Sequence, residues 1–127
     1  MSAYSELAEI APHQIWAGVV ARLVPGERVS FAVVELEPDT VVPEHAHENE
    51  QLGVLASGQL RFRIGGEERT IGAGGTWSIP PNVPHDVVAG PEGAVAIEVF
   101  APARADWSAL ERGAASPPSW PVPSGRL

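Results

Sequence analysis

Turn-forming residues break this chain at short intervals, and the runs between them are rich in Val, Ile, Leu and Phe. Helices of ordinary length do not fit between such breaks, but strands do, and the pattern predicts a sandwich or barrel. Residues 14–23 are followed by Val24-Pro25-Gly26-Glu27, residues 29–37 by Pro38-Asp39, and residues 52–56 by Ser57-Gly58. Residues 59–64 run into Gly65-Gly66, a hairpin signal. Within that run Leu60, Phe62 and Ile64 share one face, while Gln59, Arg61 and Arg63 share the other. Further runs at 68–71, 76–79, 85–88 and 94–100 bring the expectation to roughly ten short strands. Residues 105–112, with Trp107 and Leu110 at i, i+3, form the single convincing helical stretch. Beyond Gly113 the composition turns to Ser, Pro and Gly, predicting a tail that is disordered or lies as an extended strap, with Trp120 as a docking point.

A chain of 127 residues suits one domain with one core, expected over 1–112 (the barrel itself about 13–104), with the tail at 113–127. There is no cysteine, so disulfides and thiolate zinc sites are excluded. The formal charge of −8 argues against nucleic acid, whose binders need a basic face. No apolar run reaches spanning length and no secretory leader is evident, so the expectation is a cytoplasmic protein with no membrane partner.

The chemistry gathers in His45-Ala46-His47-Glu48-Asn49-Glu50-Gln51 and in Pro84-His85, which together hold three of the four histidines. Imidazoles at i, i+2 on a strand point to one face and can grip one ion, with a third from a distant strand fixing the geometry. If the segment stays extended, positions 45, 47, 49 and 51 share that face and Glu44, Glu48 and Glu50 point away. Gln51 is therefore a better fourth ligand than the nearer glutamates. The remaining histidine, His13, reads as a surface or strand-start residue, and Trp16 and Trp77 read as core.

These residues resemble the cupin superfamily, small antiparallel jelly-roll (double-stranded β-helix) barrels built from two motifs. The first motif, Gly-x5-His-x-His-x3-4-Glu-x6-Gly, meets Asp39, His45, His47, Gln51 and Gly58 at its spacings. The second, Gly-x5-Pro-x-Gly-x2-His-x3-Asn, meets Gly74, Pro80 and His85, with Asn82 in a Gly position where it can still turn left-handed and Ala89 in place of Asn. The resemblance implies an all-β cupin barrel and a bound metal. The ending Glu98-Val99-Phe100-Ala101-Pro102-Ala103-Arg104-Ala105-Asp106-Trp107 is similar to the Asp-x-Phe-Ser-Pro-x-Arg-Asp-Asp-Phe of KdgF-like cupins, which linearise unsaturated monouronates. That likeness implies three His and one Gln as metal ligands, with Glu98 in the acid position and Arg104 in the Arg position of the catalytic machinery. Glu98 is one methylene longer than the family's Asp. Three residues separate His47 from Gln51, where the family has four.

Neutral imidazoles and a neutral amide leave a divalent ion's charge undiminished, which makes it a strong Lewis acid. Such donors suit Ni, Zn, Fe or Mn, and ligand type does not choose among them. A carboxylate such as Glu98 beside the ion would shuttle protons, and a guanidinium such as Arg104 would grip an anionic small-molecule substrate. The plain alternative for Glu98 is a solvent-facing strand residue, and for Arg104 an ion pair with Asp106 or Glu111. The expected activity is a lyase or isomerase acting on a small sugar acid or related carbonyl compound. Alternatives are a dioxygenase or polyketide-cyclase-like enzyme, favoured by an aromatic pocket, and a non-catalytic binding module. A small barrel of this kind exposes an edge strand and an apolar sheet face, so a closed two-fold homodimer is expected.

Overall fold

A computed structural model describes residues 2–113 and 116–121 and has eight strands. They are β1 (His13–Trp16), β2 (Val19–Pro25), β3 (Ser30–Leu36), β4 (Val41–His45), β5 (Glu50–Ile64), β6 (Glu67–Gly72), β7 (Thr76–Ile79) and β8 (His85–Ala101). A 3-10 turn at Leu7–Glu9 precedes them, and one short helix, α1 (Ala105–Ser108), follows. The strands pair antiparallel in the order β1-β2-β3-β8-β5-β6, with β4 added on β8 and β7 on β5. Two long strands therefore organise the whole barrel. The first half of β5 pairs with the second half of β8 (Gln51 opposite Phe100, Gly53 opposite Glu98), and the remaining halves pair with each other (Phe62 opposite Val87, Ile64 opposite His85).

Eight strands replace the roughly ten expected: two predicted turns lie inside strands, which lowers the count, while one predicted run divides in two. Ser57-Gly58 and Gly90-Pro91-Glu92-Gly93 do not end anything; they are kinks where β5 and β8 bend together. The ladder slips around them, between Leu55 and Ser57 and again between Gly58 and Leu60. Gly58 has a φ of +84°, and a Cβ there would lie 2.1 Å from the carbonyl oxygen of Gly93, so the bend needs a residue without a side chain. At Gly65-Gly66 the expected hairpin does form: Ile64 faces Glu67, and both glycines have positive φ, 56° and 88°, the combination a two-residue type I′ turn requires.

The run 14–23 is not one strand. Ala17-Gly18 folds it back, so that β1 lies on β2 with Gln14 opposite Val20. The helix, too, is shorter than the run 105–112 that predicted it. After Ser108 the chain rejoins the barrel edge, with Gln14 N–H donating to the Glu111 carbonyl (3.1 Å), Gly113 N–H to the Pro12 carbonyl (2.9 Å), and His13 bridging to Arg112. His13 does start a strand but is buried, its Nδ1 3.0 Å from the Leu110 carbonyl, because this returning segment covers it.

Alternation along the strands fills the barrel with Leu23, Val34, Leu36, Leu55, Leu60, Phe62, Ile79 and Phe100. Trp77 is core, as expected. The described part of the tail, 116–121, lies on the outside. Arg22, wholly buried, donates through Nη2 to the Ser116 carbonyl (2.8 Å) and pairs with Glu35, whose other oxygen accepts from the Ser119 hydroxyl at 2.7 Å. Trp120 sits in an apolar groove with Tyr4, Leu7, Phe31 and Ile97, so it docks on its own barrel. Positions 114–115 and 122–127 of the expected tail lie outside the described residues. Among those described, no helix is long and apolar enough to cross a membrane.

Candidate metal centre and catalytic pocket

His45 ends β4 and His85 begins β8, and the ladder sets them directly opposite each other, with ring centroids 4.3 Å apart. His47 follows in irregular chain just before a bend at Glu48-Asn49, its ring 4.9 Å from that of His85 and 6.0 Å from that of His45. One donor atom from each of the three lies within 4.8 Å of the others. Each ring is oriented by a nearby main-chain carbonyl. The Nδ1 atoms of His45, His47 and His85 contact the carbonyls of Pro43, Asn49 and Val83 at 2.8, 2.9 and 2.9 Å. A carbonyl only accepts, so each Nδ1 carries the proton and each Nε2 presents a lone pair to the centre. His85 Nε2 is buried with no hydrogen-bond partner among the described residues. An orphaned acceptor in that position fits a cation.

Gln51 gives the second sign of a cation. Its side-chain nitrogen donates to Glu98 Oε2 at 2.9 Å, while its Oε1 lies 3.0 Å from His47 Nε2. With the proton of His47 on Nδ1, that contact sets two acceptors face to face, a repulsion that a positive charge between or beside them relieves. A proton does not fill the role near neutral pH: burial, then the Arg104 charge, hold the His47 pKa below its usual value. Burial likewise takes His85 down to about 4. A divalent ion held by neutral imidazoles and a carboxamide oxygen fits the donor set.

Gln51 reaches this position although the extended premise behind its selection does not hold. The chain bends over 46–49, and β5 restarts at Glu50. Asn49, expected on the same face, instead turns its amide to the Pro102 carbonyl at 2.6 Å. Glu44, Glu48 and Glu50 are exposed, as expected.

Glu98 points into the barrel and is buried, with Ala32 and Gly53 opposite it on the flanking strands. It lines one cavity with His45, Gln51, His85 and Arg104. Burial pushes its carboxyl up to about 7, against the opposing pull of Arg104 and the Gln51 hydrogen bond. Arg104, just before α1, is also buried. Its guanidinium lies against Trp107 (4.3 Å to the ring centroid) and Phe100 (5.0 Å). Asp106 accepts from both Nε (2.9 Å) and Nη2 (2.8 Å). The Asp106 pairing and the cavity position are thus both realised, and Nη1 has no hydrogen bond among the described residues. Arg104 depresses the Asp106 carboxyl in turn, first through that hydrogen bond.

Trp16 corrects a sequence expectation. It is not core: 38% of it is exposed, and its ring stands 5.6 Å from that of His45 at the mouth. The hairpin that folds β1 back over the mouth puts it there, and the unbroken run 14–23 gave no sign of that hairpin.

A cupin-domain family model matches residues 32–100, more than half of the chain, and the chain belongs to that family. Among curated proteins it is similar to the pectin degradation protein KdgF of Dickeya dadantii (strain 3937), 36% identical over 64 residues. That match covers 50% of this chain and 58% of the relative, so the chain spans little more than half the length of the curated protein it matches. Among solved structures it is similar to an RmlC-like cupin from Shewanella frigidimarina (TM-score 0.77, 22% identity, 84% of this chain and 96% of that one). KdgF from Halomonas sp. gives a TM-score of 0.76 at 21% identity, over 84% and 98% of the two chains. At these identities the structural likeness speaks for the fold.

Proposed function

We propose that the protein is a metal-dependent cupin enzyme of the lyase or isomerase type, acting on a small unsaturated acid or related carbonyl compound. In this reading His45, His47, His85 and Gln51 hold the ion, and Glu98 and Arg104 work on the substrate. When bound, a divalent ion with these neutral ligands supplies Lewis acidity toward a carbonyl or enol oxygen. The observation that carries the reading is the position of Glu98: buried, within hydrogen-bond reach of Gln51, and in the cavity of the imidazoles. A carboxyl pushed up to about 7 gives and takes a proton with little loss near neutrality, the condition for general acid–base work in an enol–keto exchange or ring opening. Arg104, packed against Trp107 and oriented by Asp106, offers its free end to a substrate carboxylate. The partial match to the pectin degradation protein KdgF supports a sugar acid as the first substrate to try.

A second reading, a dioxygenase or polyketide-cyclase-like cupin, draws on the aromatic share of the cavity wall, which includes Trp16, Phe62 and Trp107. We also assign a homodimer. Phe31, Val99 and Leu52 stand side by side across three strands, each more than a third exposed, in an apolar row suited to a second subunit.

The test is to load the purified protein with metal and follow the ultraviolet absorbance of an unsaturated uronate's enol ether, together with solvent-deuterium uptake into a simple 2-oxo acid. Metal-dependent catalysis of either, lost in Glu98→Gln, supports the reading. Neither reaction, or no change in Glu98→Gln, rejects it.

A further inference from the structure

The pocket has two chambers with different chemistry. The inner one, about 60 Å³, is lined by His45, Gln51, His85, Glu98 and Arg104 and otherwise walled by aliphatic and aromatic side chains such as Val34, Leu36, Leu60 and Phe62. The outer one, about 230 Å³, shares Trp16, His45, Arg104 and Trp107 with it and adds Leu110 and Asp106. Among the described residues, neither chamber has a Ser, Thr, Tyr or Asn in its wall. The main chain of the barrel strands is committed to the ladders, so it offers few hydrogen bonds to a guest either. A polyhydroxylated ring would find partners on the groups that take the acid head and on Asp106, itself paired with Arg104, so hydroxyls beyond the reach of these would lose water without replacement. Meanwhile Trp16 and Leu110, each 38% exposed, turn apolar surface toward the outer chamber.

We infer that the substrate is a carboxylic acid with few hydroxyls and a flat apolar arm: its acid head lies among Arg104, Glu98 and the imidazoles, and its arm against Trp16 and Leu110 in the outer chamber. The inference rests on the proposal above that an acid head group meets the metal centre, and it narrows the class away from sugar acids. The recognition is divided between parts of the chain. The barrel wall, the His47 segment and Arg104 hold the head, and β1 with the residues after Arg104 holds the arm.

The test uses three acids that carry an oxygen next to the carboxylate and do not react: lactate, 3-phenyllactate and galacturonate. Each is titrated calorimetrically into zinc-loaded protein. 3-Phenyllactate should bind about tenfold or more tighter than lactate, and galacturonate no tighter than lactate. Trp16→Ala should bring 3-phenyllactate down to the affinity that the same variant shows for lactate. Leu110→Ser, a milder change at an exposed position, should weaken 3-phenyllactate alone by a few-fold. Galacturonate binding as tightly as 3-phenyllactate overturns the inference, as does a preference for the aryl arm that survives both substitutions. If lactate binds but the aryl arm adds nothing, the inference fails and the acid-binding reading stands. If none of the three binds, both fall.

Discussion

The imidazoles and the mouth of the pocket are built by different means. His45 and His85 sit on paired strands in the barrel wall, and all three clustered imidazole rings are set by contacts of 2.8 to 2.9 Å to main-chain carbonyls. The mouth is made by segments added at either end of the barrel, β1 and the stretch from Arg104 to Gly113. These meet through a handful of hydrogen bonds and the single bridge of His13 to Arg112. A rigid wall suits groups that must keep sub-ångström geometry around an ion. Appended segments can change residue by residue without disturbing it, and that is where substrate choice is expected to vary.

Substitutions test that division, beginning with the wall. His45→Ala or His85→Ala should abolish stable metal binding, with affinity falling by more than the roughly 10–100-fold seen when only a supporting contact to a ligand is lost. Equilibrium dialysis against metal, read by elemental analysis, measures it; unchanged occupancy in both variants would remove the wall from the account. Gln51→Glu should keep the metal and lower turnover, since an anionic donor reduces Lewis acidity.

Glu98→Gln comes next, with turnover down by roughly 10²–10⁴-fold while metal content and ligand affinity hold, the range for a lost acid–base group. At the mouth, Arg104→Lys and Asp106→Asn should mainly raise the Michaelis constant, by about tenfold. An ammonium lacks the two-pronged grip, and a guanidinium without its Asp106 partner loses its fixed direction. A drop in kcat as large as that of Glu98→Gln would erase the distinction between wall and mouth.

The smallest effect is one of stability, read on protein stripped of metal. The folded-state pKa of Glu98 is raised, from 4.5 to about 7. Its contribution is therefore fully present below pH 4.5 and is lost as pH rises through 7, by up to ~3 kcal/mol. Glu98→Gln should remove that slope, so that denaturant unfolding at pH 8 favours the variant by more than at pH 5. Equal differences at both values would mean that the carboxyl is not held protonated.

How much of this the sequence disclosed follows the same line. His45 and His85 were legible because ladder pairing sets them opposite each other, whereas His47 joins them from beyond the end of β4; Asn82 takes the left-handed conformation (φ 64°) its position called for. Asp39, in the other substituted glycine position, does the same at φ 61°. Gln51 was found through a premise of extended chain that the bend at 46–49 breaks; the restart of β5 restores its direction. Kinks within strands could not be told from turns between them, because Gly58 and Gly93 serve either purpose until the partner strand is known. The mouth was least legible. Trp16 and Trp107 are distant in sequence, and only the return of the chain to β1 makes them neighbours of one pocket.

X-ray absorption at the metal edge of the loaded protein reads the ligand set itself. About one ion per chain is expected, bound by three imidazoles and an oxygen donor, with His85→Ala reducing the imidazole signal or losing the metal altogether. A stoichiometric ion with fewer than two imidazoles, or a protein that takes up no divalent transition metal at all, would contradict that ligand set.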